Sequence, residues 1–183
     1  MRQIFFTRLW ITALLLGLVW MWFSRAPQGS LTEGKIPAPQ AGFLAPQVEL
    51  SDLDGKITRL ADLRGQVILL NIWATWCPPC RAEMPAIERV YEEYRQQGFN
   101  VLAVNSTAQD EAAQVAPFAA EYGLTFPVLL DESGLVTRSY QVKSLPTSFF
   151  IGRDGVIREV VIGGPMDEAL LRSRVEALLK EKP

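Results

Sequence analysis

Histidine is missing from the 183 residues, and cysteine occurs only twice, at Cys77 and Cys80. The first absence removes the commonest general base and the commonest metal ligand. The second leaves one chain two ligands short of a tetrahedral zinc site, so a metal would need ligands from a second chain. Charge of either sign is also sparse. There are 18 basic and 20 acidic residues, and they form no basic patch. Residues 1–25 hold Arg2, Arg8 and Arg25 and no acid, which leaves the rest of the chain at −5. A mildly acidic domain of this kind argues against nucleic acid as a partner. No internal repeat is visible.

What is present begins with one long uncharged run, LWITALLLGLVWMWF, from Leu9 to Phe23. As a helix it spans ~22 Å, and Ile4 to Thr7 lengthen it, with Arg8 free to snorkel. Trp20 and Trp22 fall where an interfacial aromatic belt would lie. A cleaved signal peptide is the alternative. Its best cleavage site, Ser24-Arg25-Ala26, is followed by Pro27, which disfavours the cut. Residues 1–24 are therefore expected to be a single-pass membrane anchor. Arg2, Arg8 and the terminal amine favour a cytoplasmic N-terminus, which places the rest on the extracytoplasmic (periplasmic) side of the cytoplasmic membrane. Residues 25–42, rich in proline, glycine and small polar residues, are expected to be a flexible linker.

From Phe43 to Pro183 the pattern is that of one α/β domain. VELSDLDGKITRL suggests two short strands turning at Asp54-Gly55. QVILLNIWA is a nearly unbroken apolar run, as in a central strand covered on both faces. Pro78 to Gln97 carries an apolar stripe of Met84, Ile87, Tyr91 and Tyr94 at helical spacing, with Pro85 expected to kink it. VLAVN and FPVLLD suggest strands flanking a helix that ends at Gly123 and bends at Pro117. SFFIG and VIREVVI suggest a hairpin about Asp154-Gly155. The closing MDEALLRSRVEALLKEK is amphipathic, with Leu171, Val175, Leu178 and Leu179 inward. These elements imply a central mixed sheet flanked by helices.

The two cysteines sit in NIWATWCPPCRAEMP, where a buried strand passes into a helix. A helix start offers unpaired N–H groups and a positive dipole end, which favour a thiolate. Cys77, at the expected exposed end, is the nucleophile, and Cys80, one turn on, is the resolving thiol. A structural crosslink is the alternative, but so short a loop removes little chain entropy. Pro78 and Pro79 lack N–H groups and fit the first turn, yet they remove two donors from the Cys77 thiolate. The N–H groups of Cys80 and Arg81 remain. The Arg81 side chain is expected to point to water. A less stabilised thiolate makes the pair a reductant.

The phrase WATWCPPCRAEMP, with Leu145-Pro146-Thr147 ahead of SFFI, resembles the thioredoxin superfamily over residues 43–181. In particular it is similar to the membrane-tethered TlpA/ResA/CcmG-like thiol–disulfide oxidoreductases. The resemblance implies a thioredoxin-like fold with an N-terminal hairpin and a central helix–strand insert between VLAVN and FPVLL. It also implies a redox-active Cys77–Cys80 disulfide with no other cofactor and no metal. Where ordinary thioredoxin carries a buried aspartate, this chain has Asn71, which cannot titrate. The acid three residues after the second cysteine, Glu83, is then the expected proton acceptor for Cys80, against a plain first-turn helix acid. Leu145-Pro146 matches the cis-proline loop. With Trp76 and Pro78 it is expected to form an apolar substrate-binding rim, and Trp73 is expected in the core. The implied partners are protein disulfides such as the C-x-x-C-H disulfide of apocytochrome c, with electrons from a transmembrane thiol donor. Competing readings are a thiol peroxidase using Thr75 and Arg81, a non-catalytic tethered chaperone, and a disulfide-donating oxidase.

Overall fold

The computed structural model describes residues 36–181, so the expected anchor (1–24) and most of the expected linker lie outside the described residues. Among the described residues, no helix is long and apolar enough to cross a membrane. The final linker residues are already engaged: the Ala38 N–H donates to the Leu44 carbonyl at 3.0 Å and the Gly42 N–H to that of Ile157 at 2.8 Å.

Strands β1 (Glu49–Ser51) and β2 (Ile57–Arg59) form the expected antiparallel hairpin. At its turn Gly55 has φ 79°, which glycine adopts without steric cost. The main sheet comprises β3 (Val67–Trp73), β4 (Phe99–Asn105), β5 (Val128–Leu130), β6 (Thr147–Ile151) and β7 (Ile157–Ile162), in the order β5-β4-β3-β6-β7. β3 runs parallel to β4 and antiparallel to β6, so the sheet is mixed. The helices are α1 (Pro78–Tyr94), α2 (Ala112–Glu121), α3 (Leu135–Ser139) and α4 (Glu168–Lys180). α2 and β5 form the expected insert. α3, only five residues long, was not foreseen, because a single turn carries no measurable period.

All seven residues of β3 are buried, which explains its unbroken apolar run. Val67, Leu69 and Trp73 face the core layer under α1, α2 and α4, while Ile68, Leu70 and Ile72 face the opposite layer with Leu102, Tyr140 and Phe149. Each such aliphatic side chain contributes roughly 1.5–3 kcal/mol by its burial. That fixes β3 at the centre of the sheet and makes its C-terminal end a rigid platform. Asn71 is the one polar residue in the strand, and it pairs in register with Ser148 of β6. Helix α1 continues through Pro85 and buries Met84, Ile87, Val90 and Tyr94. Its chain leaves through Gly98, whose φ of 89° turns it back into β4. In α4, Leu171, Val175 and Leu178 are buried and Leu179 is partly so.

Candidate active site

The platform of β3 delivers the chain through Ala74-Thr75-Trp76 to Cys77, the N-cap of α1, which has extended backbone angles (φ −84°, ψ 109°). Pro78 and Pro79 fill the first helical positions, where a missing N–H costs nothing. Cys77 and Cys80 form a disulfide, with their Cα atoms 5.3 Å apart. The Cys80 N–H donates to Cys77 Sγ at 3.4 Å. The other expected donor is unavailable, because the Arg81 N–H is spent on the Cys77 carbonyl at 3.1 Å.

Two expectations need correction here. Cys77 is only 2% exposed and Cys80 is fully buried. The exposed tip is formed by the neighbours of Cys77: Trp76, at 57% exposure, and Pro78. The physical reason is that the sulfur of an N-cap cysteine turns inward, toward the partner sulfur and the Cys80 N–H. Arg81 does not simply point to water either: its side chain, 40% exposed, folds back along the helix start. Its guanidinium donates to the Thr75 carbonyl at 3.2 Å and lies over the Phe118 and Tyr122 rings, 5.2 and 5.5 Å from their centroids. Two aromatic faces and a carbonyl attract a cation more than a fully hydrated position does.

Glu83, one turn beyond Cys80, is fully buried, so it is not a solvated first-turn acid. Its Oε1 accepts from Asn71 Nδ2 at 2.8 Å, and its Oε2 accepts from the Met166 N–H at 3.0 Å. Burial pushes its carboxyl above the usual carboxylate range, and the bonds from Met166 and Asn71 pull it back only in part. Asn71 also donates to Ser148 Oγ at 2.8 Å, so both amide hydrogens are used, and its Oδ1 has no partner among the described residues. Asn71 therefore holds Glu83 without competing for its proton. Trp73 is fully buried, as expected of a core residue.

The Leu145–Pro146 peptide is cis, and Pro146 is buried while Leu145 is partly exposed. A second cis bond, Gly164–Pro165, was not foreseen. The loop that carries it folds over the site: the Gly163 N–H donates to the Pro146 carbonyl at 2.8 Å, and Met166 reaches Glu83. Gly164 lies between Pro146 and Glu83. A Cβ placed there would stand 2.7 Å from the proline ring and 2.8 Å from the carboxylate. The proline ring is closed and the carboxylate is held by Asn71 and the Met166 N–H, so Gly164→Ala should displace the loop and take the Met166 N–H from Glu83. Overpacking of this kind costs ~1–3 kcal/mol. Thermal unfolding should show a lower midpoint, and an unchanged one would mean that the loop yields freely.

The structure thus brings Cys77, Cys80, Glu83 and Pro146 into one site and sets Trp76, Pro78 and Leu145 on its rim. Among the described residues, no group of three or more histidine, cysteine, aspartate or glutamate side chains could hold a metal ion. The arrangement can exchange a disulfide with a partner and places a buried carboxylate, Glu83, one helical turn after Cys80.

Comparison with known proteins points the same way. The AhpC/TSA family model matches residues 41–160. The thiol-disulfide oxidoreductase ResA of Geobacillus thermodenitrificans is 41% identical over 126 residues, covering 69% of this chain and 71% of that protein. The crystal structure of a proposed thiol:disulfide interchange protein DsbE from Chlorobium tepidum aligns with a TM-score of 0.71 at 35% identity, over 76% of this chain and 98% of that one. A secreted Mycobacterium tuberculosis disulfide oxidoreductase homologous to E. coli DsbE aligns with a TM-score of 0.65 at 27% identity, over 72% and 96% of the two chains. This chain belongs to the AhpC/TSA family and, within it, to the thioredoxin-like thiol–disulfide oxidoreductases.

Proposed function

We propose that this oxidoreductase works as a reductant of protein disulfides on the extracytoplasmic side of the cytoplasmic membrane, held there by residues 1–24. Its clients would be disulfides such as that of an apocytochrome c C-x-x-C-H segment. In the reduced enzyme, the Cys77 thiolate attacks one client sulfur. A mixed disulfide forms, and the other client sulfur leaves as a thiolate. Cys80 then passes its proton to Glu83 and attacks Cys77 Sγ. The mixed disulfide breaks, the client departs with both its sulfurs reduced, and the Cys77–Cys80 disulfide is restored. Two electrons have moved to the client, and a transmembrane thiol donor returns them to the pair.

One observation carries the direction of transfer: the thiolate has few stabilising partners. Two prolines remove donors, the Arg81 N–H is bonded within the helix, and the Arg81 guanidinium is bound to Thr75. Among the described residues, only the Cys80 N–H donates to that sulfur, at 3.4 Å. An unstabilised thiolate means an unstabilised reduced state, and ~1.4 kcal/mol already moves a two-electron potential by ~30 mV. The potential should therefore lie nearer about −270 mV, as in thioredoxin, than about −120 mV, as in a strong oxidant. Equilibration with a dithiol buffer measures it, and a value near the oxidising end would reverse the direction. The compartment is supported by the uncharged run Leu9–Phe23 and by the secreted relative. A C-terminal reporter active only in the cytoplasm would refute it.

A peroxidase would need the Thr75 hydroxyl and the Arg81 guanidinium at the reactive sulfur. Here the hydroxyl donates to Asp110 at 2.6 Å and the guanidinium is bound to a carbonyl, which favours the reductase.

A further inference from the structure

One charged side chain far along the chain grips the residue two places before Cys77. Asp110 accepts from the Thr75 N–H and from the Thr75 hydroxyl, both at 2.6 Å. The third polar atom of Thr75, its carbonyl oxygen, accepts from Arg81. Every hydrogen-bonding group of Thr75 is therefore held by an ionised partner, and bonds of this type are roughly twice as strong as neutral ones. Asp110 is itself fixed, by Asn105 Nδ2 at 2.8 Å and the Glu111 N–H at 2.9 Å. Partial burial opposes its ionisation. The bonds from Thr75, Asn105 and Glu111 outweigh that and hold its carboxyl below the usual aspartate range.

The residue between this clamp and Cys77 is Trp76. It is 57% exposed, yet its indole N–H donates to the Gln109 carbonyl at 2.9 Å. Gln109 and Asp110 are adjacent, in the turn that leads from β4 into the insert. The turn thus holds Thr75 by a side chain and the Trp76 ring by a carbonyl. The ring stands as a wall between two clefts. One, of about 540 Å³, is lined by Gln109, Asp110 and Gln114. The other, of about 130 Å³, runs along Val142, Ser144 and Leu145 toward the cis-proline loop. An exposed tryptophan with free rotamers would lose that freedom on binding a partner. One already held in place avoids that loss, and tryptophan is among the residues that most often dominate binding.

We propose that Asp110 is a positioning residue of this oxidoreductase: acting through Thr75, it holds Trp76 as a preformed wall for the disulfide-bearing polypeptide. This rests on the protein-disulfide reading above. Asp110 touches neither sulfur. Its effect reaches the reaction through partner binding, so it belongs in KM and not in kcat.

The test uses the full chain, kept reduced by a dithiol reagent whose direct reduction of the peptide is subtracted, turning over a peptide with an internal C-x-x-C disulfide. Asp110→Ala should raise KM about tenfold with kcat within about twofold. Asp110→Asn keeps an acceptor oxygen for the Thr75 N–H and should recover most of the loss. With Trp76→Ala already present, Asp110→Ala should add little, because coupled positions are not additive. NMR exchange of the Trp76 indole N–H gives a readout independent of turnover. It should be at least about tenfold faster in Asp110→Ala. The proposal is overturned by additive KM effects, by a fall confined to kcat, or by a lowered unfolding midpoint with KM and indole exchange unmoved. If the unaltered enzyme fails to reduce the peptide, the protein-disulfide reading falls with it. Unchanged indole exchange would then overturn the clamp separately.

Discussion

Cys80→Ala should stall the enzyme on its client as a stable mixed disulfide through Cys77, while Cys77→Ser should drop turnover to background and trap nothing. The difference follows from the proposed division of labour between the sulfurs. Attack needs one thiolate, and release needs a second sulfur positioned on Cys77 Sγ. In the disulfide the two residues already sit with Cα atoms 5.3 Å apart on one helical turn. Non-reducing electrophoresis of cells that express the Cys80→Ala variant would show dithiol-sensitive adducts, and mass spectrometry would identify the trapped clients. Adducts with a C-x-x-C-H segment would support apocytochrome c. Adducts that form equally well with Cys77→Ser would reverse the assignment of nucleophile. A tethered chaperone would keep its clients in both variants, without a covalent bond.

Glu83→Gln should slow release of the mixed disulfide by about 10²-fold or more, the usual range for loss of a positioned general base. It should also remove one limb of the pH–rate profile. Burial raises the Glu83 carboxyl above its ordinary value, so in the unaltered enzyme the rate should fall as pH drops through that raised value. The glutamine variant has no carboxylate to protonate and should show no such fall. Stability should respond in the opposite sense. A carboxyl whose pKa is higher in the folded state contributes stability that is full below the unfolded value and lost as pH rises through the folded one. Chemical unfolding in steps from about pH 4 to 8 should show this slope, and Glu83→Gln should flatten it. The glutamine brings a cost of its own. Its single acceptor oxygen cannot serve both Asn71 and the Met166 N–H, so one buried donor is left unmatched. Identical release rates and identical pH profiles would reduce Glu83 to a packing residue.

Much of this was legible in the order of residues, because the signals were local. The apolar run at β3, the Asp-Gly turns and the stripe on α1 each depend on neighbours within a few positions. The cysteine pair was legible for the same reason: strand, turn and helix start are contiguous. What escaped was set by distant contacts. Nothing in RAEMP shows that Glu83 is sealed by Met166, 83 positions away in sequence. Nothing near Thr75 reports Asp110, 35 positions on. The Gly164–Pro165 loop carries no local sign of its role, since its meaning comes from the proline and carboxylate packed against it. The inward turn of Cys77 was missed for a related reason. A helix tip is an exposed location on average, but the sulfur follows the bonds available to it.

That inward turn bears on traffic through the enzyme. A crosslink 2% open to solvent is screened from stray thiols that collide at random, while a partner able to settle against the indole beside it can still be brought to the sulfur. Electrons would then pass along chosen protein routes and leak slowly to small reductants. On the proposed reading, insulation of this sort would let a reducing centre persist in an oxidising compartment.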